Sequence, residues 1–276
     1  METLQDAVNV EADGLIGMGT LVAIAEWAEE RNLVWNPISG DLSERTSETQ
    51  FFLWNSLSVP IECKYAIIPP SDGYDLHPFG SFSTRSRVID SVILHWGGLD
   101  PAHLYRIFSN RSASSHFGIG VLKGTTKPCI VQYLDTAHIA WHSKGANETS
   151  IGIDICQQPE IKWLGHFVKL GYDVKVIPNP YAEEGLGPDK VLSLDSRIKD
   201  AAISFLYSLP KSLGLKSGLH PDPLRLSEFE PGILCHSNVD FKGQGKWDIA
   251  PWWDELRDGV AGVFPNDRNG NEEPIC

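Results

Sequence analysis

The sequence predicts an α/β (α+β) fold in which a central mixed β-sheet is flanked by helices, and three observations predict it. Short β-branched apolar runs, Val88 to Leu94 and Ile151 to Cys156, have the length and composition of buried strands. The stretch Ser193 to Leu209 carries apolar residues at helical spacing through Leu194, Ile198, Ala202, Phe205 and Leu209. Strands and helices of these lengths are mixed along the chain, the arrangement of a sheet with helices packed on its faces.

Taken in order, residues 1–40 read as a small helical unit. The turn Asp13 to Thr20 leads into Leu21 to Glu30, where Leu21, Ile24, Ala25 and Ala28 share one helical face. From 41 to 84 the pattern loosens. Pro60, Pro69, Pro70 and Pro78 interrupt short apolar pieces, as in a linker or an extended packing segment, and Trp54, Tyr65, Ile67 and Ile68 suit a segment that packs in part. The main domain is expected from 85 to 260. Val88 to Leu94 forms a central strand that delivers His95 to its C-terminal end, and Asp100 and Pro101 cap and open a helix through Phe108. Phe117 to Leu122 and Cys129 to Tyr133 are strands joined by the turn from Lys123 to Pro128. Gln157 to Val191, broken by Pro178, Pro180, Gly185, Gly187 and Pro188, is expected to be a surface excursion. The helix from Ser193 should stop at Pro210, a second should start at Pro251, and 261–276 reads as a loose tail.

Bulk composition excludes several function classes. The 276 residues are 42% hydrophobic and 21% charged, which suits a packed globular core. With 23 basic against 36 acidic residues the net charge is -13, which argues against nucleic acid as a partner. No apolar run of about twenty residues predicts membrane insertion. Leu15 to Ala25 is interrupted by glycines and follows Asp6, Glu11 and Asp13, so no Sec-type signal is expected and the chain is expected to stay cytoplasmic until released or exported. The five cysteines lack C-x-x-C spacing and are expected to be buried thiols.

The chemistry gathers on His95, His236 and Asp248. A catalytic zinc has three protein ligands from His, Asp, Glu and Cys and keeps a fourth position for water. These three residues fill that quota, with Lys246 beside them. Lys246 and Asp248 are two apart, so an extended segment turns both toward one face. Cys235 neighbours His236 and should point away from it, into the core.

Five ordered motifs then carry a resemblance: Val92 to His95, Ser114 to Ile119, Ala140 to Ser143, Ser150 to Asp154, and Cys235 to Ser237 with Lys246 to Asp248. Together they resemble the zinc N-acetylmuramoyl-L-alanine amidases, over about Arg85 to Arg257. The resemblance implies the fold shared with peptidoglycan recognition proteins, one catalytic Zn2+ on His95, His236 and Asp248, and peptidoglycan or muropeptides as partners. It makes Asp154, where the recycling amidases place a glutamate, the proton shuttle, unless it only orients a histidine. It makes Lys246 the oxyanion partner, unless it is a solvated lysine. His116, Trp141, His142 and Asn147 fall to the substrate groove. Core packing for Trp141 and support of a ligand for His142 stand as alternatives, and His138 and His220 are structural. The turn at Asp13 to Thr20 and its helix resemble small peptidoglycan-binding modules, or are an ordinary amphipathic helix. The function implied is hydrolysis of the amide between N-acetylmuramic acid and L-alanine, as in an endolysin. A non-catalytic recognition module or a cytosolic recycling amidase are the other readings.

Overall fold

The computed structural model describes residues 82–121, 126–213, 215, 219–240 and 245–263, together with five short backbone strands between 33 and 68. These five are β1 (Leu33–Trp35), antiparallel to β2 (Leu42–Glu44), β3 (Phe51–Phe52), antiparallel to β4 (Pro60–Ile61), and β5 (Ile67–Ile68). The helix expected at Leu21 to Glu30, along with Trp54, Tyr65 and the tail beyond Val263, lies outside the described residues.

Alternating apolar side chains and β-branching build the main sheet from β7 (Ser91–Trp96), β8 (Phe117–Val121), β9 (Pro128–Gln132), β11 (Ser150–Ile155) and β14 (Gly232–Cys235), with β5 at its edge. The order is β14-β7-β11-β8-β9-β5. β14, β7, β11 and β8 run parallel, β9 runs antiparallel to β8, and β5 is parallel to β9 through Ile67 and Ile68 opposite Ile130 and Val131. β7 and β11 sit inside the sheet, and their residues are buried on both faces. The β7 ladder starts at Ser91, later than the apolar run, and Val88 is 85% exposed. A side ladder pairs β6 (Phe82–Thr84) with β10 (His138–Ala140).

Period-two alternation sends the two faces of the sheet to different work. Val92, Leu94, Ile151, Ile153, Phe117 and Ile119 face a core filled by the long helices α3 (Ser196–Ser212) and α4 (Trp253–Val263). Ile93 and Leu234 face the other way, with Ala146 and Val239, and His95 shares the Ile93 side. α1 (Pro101–Ser109) opens as its sequence requires, with Asp100 accepting from the His103 amide at 2.7 Å and Pro at the first turn.

Two expectations change. α3 continues to Ser212 instead of stopping at Pro210. In a last turn, proline costs one donor, and the Leu213 amide still reaches the Leu209 carbonyl at 3.0 Å. The segment 157–191 is also more than a surface excursion. It holds a one-turn helix at Ile161–Trp163, α2 (Leu164–Lys169) and the hairpin of β12 (Val176–Pro178) with β13 (Lys190–Leu192). Phe167, Tyr172 and Val174 enter the core, and Gln157 is fully buried between Ser193 and Asp195. Proline and glycine mark its turns, but its apolar residues still need a place to bury.

Arg85 ties the connections on the site face together. Its guanidinium donates to the carbonyls of Thr136 at 3.1 Å, Glu148 at 2.5 Å, His138 at 2.8 Å and Ser150 at 3.0 Å. Arg85→Ala is expected to cost roughly 2–4 kcal/mol, because four carbonyls, those of the buried Thr136 and Ser150 among them, lose a charged donor. Urea denaturation would measure it, and an unchanged midpoint would show those carbonyls satisfied by water instead.

Candidate metal and catalytic site

Three elements bring the ligating atoms together. His95 is the fifth residue of β7 and 5% exposed; His236 follows β14 at the start of a 3-10 turn, His236–Val239; Asp248 lies on the loop before Ala250–Trp252. His95 Nδ1 is 2.9 Å from His236 Nδ1 and 3.5 Å from Asp248 Oδ2, which is 2.6 Å from His236 Nδ1. Atoms bonded to one zinc ion at about 2.0–2.2 Å in a tetrahedron stand roughly 3.3–3.5 Å apart. The set is near that size, drawn slightly inward by hydrogen bonds. It is also the His/His/carboxylate group among the described residues that can hold a metal ion.

The electrostatics suit a cation. Burial, then the neighbouring His236, lowers the His95 pKa to about 4, so the ring is neutral and its lone pairs are available. Burial pushes the Asp248 carboxyl up, but the two imidazoles beside it, His236 before His95, outweigh it and hold it well below the usual carboxylate range.

The Asp248 loop is fixed from behind. Cys235 is fully buried and donates its thiol proton to the Asp248 carbonyl, with the Ser237 hydroxyl oxygen 3.0 Å from its sulfur, and burial pushes its pKa up to about 12. It is no nucleophile at neutral pH. Ile249, 1% exposed, has φ 65, the left-handed region that a β-branched residue rarely enters.

Asp154 sits next to His95 in the parallel register of β11 and β7 and is 7% exposed. Burial raises its pKa to about 7, a hydrogen bond with Ser115 opposes the rise, and the charge of Asp248 adds to it. Gly97 makes room for it, since a Cβ there would collide with Asp154 Oδ1. Lys246 is half-buried, its amide donates to Asp240 at 3.0 Å, and its charge acts on His95. Ser115 is a residue that the sequence did not single out. The signal was its place directly before His116 on the approach to β8.

The four groove residues separate. Trp141 is 41% exposed, with its amide pinned to Ser114 Oγ at 2.8 Å, so its ring is open to solvent. His116 is fully buried: Nδ1 accepts from the Gly152 amide at 3.0 Å and Nε2 donates to the His138 carbonyl at 3.1 Å. It is therefore corrected from groove to scaffold, because both ring nitrogens are used inside. His142 turns behind His95, with Nδ1 2.9 Å from His95 Nε2, which matches the alternative of supporting a ligand. Burial, then His95, keeps its pKa well below the usual range. Asn147 Oδ1 accepts from the amides of His142 and Ser143 at 3.2 and 2.6 Å, so this oxygen caps a turn rather than facing a groove. His138 packs edge-on against Phe82, and His220 closes a turn with Asp222.

Residues 85–249 match the family described as N-acetylmuramoyl-L-alanine amidase. The chain belongs to this family. It is accordingly a hydrolase of the amide between N-acetylmuramic acid and L-alanine. The amidase is also similar to a solved mutant structure of PlyL, at 13% identity over 65% of this chain and 87% of that one, with a TM-score of 0.35. No curated protein matches it significantly. Among the described residues of the amidase, no helix is long and apolar enough to cross a membrane.

Proposed function

We propose that His95 Nδ1, His236 Nδ1 and Asp248 Oδ2 hold one zinc ion, and that Asp154, Lys246 and Trp141 complete a peptidoglycan-cutting site around it. The observation that carries this reading is the convergence of the three ligating atoms within 3.5 Å of one another. When bound, zinc supplies Lewis acidity toward the scissile carbonyl and makes water a better nucleophile near neutral pH. Asp154, with a pKa near 7, takes the proton of the attacking water on its carboxylate and returns it to the departing L-alanine amine. Lys246 places an ammonium where negative charge develops on the carbonyl oxygen. The exposed Trp141 ring offers an apolar face to the sugar or the stem peptide. The products are a lactyl carboxylate on the glycan and a free amine on the peptide.

An endolysin-like setting, in which the chain waits in the cytoplasm and then acts on intact wall, is part of the proposal. Its support is the acidic balance of -13, together with the resemblance of Asp13 to Glu30 to wall-binding modules. The test is the zinc-loaded full chain on purified sacculi and, in parallel, on soluble anhydro-muropeptides. Stem peptides with new L-alanine amines should appear, faster from sacculi. Preference for the soluble fragments would overturn the endolysin setting in favour of recycling, and no release from either would overturn the enzyme.

A further inference from the structure

Behind His95 runs a chain of hydrogen bonds whose direction is set at its far end. Ser150 Oγ lies 2.6 Å from the Ala146 carbonyl oxygen and 3.1 Å from His142 Nε2. A hydroxyl has one proton and a carbonyl oxygen only accepts, so that proton points at Ala146. Ser150 Oγ then meets His142 with a lone pair, and His142 Nε2 carries the proton between them. The His142 ring stands edge-on to those of His95 and His116 and its nitrogens face His95 and Ser150, so a second proton would be a charge with no carboxylate against it among the described residues. With one proton, His142 Nδ1 is an acceptor, and it lies 2.9 Å from His95 Nε2. His95 Nε2 must donate, which leaves His95 Nδ1 with its lone pair aimed at His236 and Asp248.

We propose that Ser150 and His142 are positioning residues that set the tautomer of His95, keeping its proton on Nε2 so that Nδ1 always faces the metal. The relay is built into the fold. Gly152 leaves the His142 ring its place, because a Cβ there would come within 2.6 Å of it. Asn147 Oδ1 holds the His142 amide at 3.2 Å, and Ser150 is fully buried at the start of β11. Register makes the relay possible: Ser150 and Gly152 are two apart on β11 and lie on one face. A ring nitrogen that has no fixed partner divides its proton between both positions, and only one of the two forms binds metal through Nδ1.

This inference rests on the three-ligand cation site, and its test separates the two. Nitrogen NMR of the metal-free full chain with labelled histidines should show His95 as the Nε2–H form. Ser150→Ala should introduce the Nδ1–H form and weaken zinc binding, read by competition with a chromogenic chelator, by about 10- to 100-fold. His95 found as Nδ1–H in the unaltered protein would overturn the relay. So would a folded Ser150→Ala variant with unchanged tautomer and zinc affinity. If that variant does not fold, the spectrum of the unaltered protein decides alone. An Nε2–H His95 in a chain that takes up no zinc would sustain the relay and overturn the cation site.

Discussion

Asp248→Ala is expected to abolish amide hydrolysis and metal retention together. The carboxylate supplies one of three ligating atoms and the only anionic one, at 2.6 Å from His236 and 3.5 Å from His95. Without it, two neutral imidazoles remain. Loss of several kcal/mol of transition-state stabilisation corresponds to at least about a thousandfold fall in kcat/KM. Metal content after dialysis and release of stem peptide are the two measurements. The fold should survive, since the Cys235 thiol bonds the backbone carbonyl of residue 248 and not its side chain. A variant that kept its metal and its rate would remove Asp248 from the site. One that lost both but still bound muropeptides would show that binding and cutting are separable on this scaffold.

Asp154→Asn should lose about 10²–10⁴ of its turnover while making the metal-free protein more stable above neutral pH. The sign follows from the raised pKa. The group moves from 3.8 when solvated to about 7 in the fold, so the folded state holds the proton more tightly than the unfolded one. Its favourable contribution is fully present below pH 3.8 and is lost as the pH rises through 7. At 1.36 kcal/mol per pH unit the whole effect is at most about 4 kcal/mol. Asparagine carries no charge to bury and keeps an oxygen for Ser115, so urea midpoints between pH 4 and 8 should flatten. Bound zinc should shrink the slope in the unaltered protein by favouring the carboxylate. Equal slopes in both metal-free proteins would mean that Asp154 reaches water freely.

The cluster of His95, His236 and Asp248 was legible because its residue types are chemically restrictive and arrive in a fixed order. His95, His236 and Asp248 lie far apart in sequence but need only two strand ends and a returning loop to meet. The central strands were legible for a similar reason, since a run such as Ile151 to Cys156 has few places to go except a buried ladder. Histidines in polar surroundings were harder. His116 and His142 both look like groove residues until the register puts a Gly152 amide against one and a Ser150 hydroxyl against the other. Those partners belong to β11, and no local pattern around 116 or 142 names them. The segment 157–191 misled because its prolines and glycines break its apolar residues into short pieces, although burial of Phe167, Tyr172 and Val174 decides where it packs. The helix at Pro210 misled because proline stops a helix by an energy, and one missing donor in a final turn is a small one.

Ile249 bears on how this enzyme can be improved. Its left-handed backbone, at φ 65, costs of order 1–3 kcal/mol, and the buried side chain and the Cys235 contact hold it there. A search for heat resistance would find glycine or asparagine attractive at this position, because either relieves the angle. The same change would let the neighbouring carboxylate swing. Selection for melting temperature alone would therefore drift toward a sturdier protein with a loosened third ligand, and screening at position 249 has to weigh retained metal as well as survival on heating.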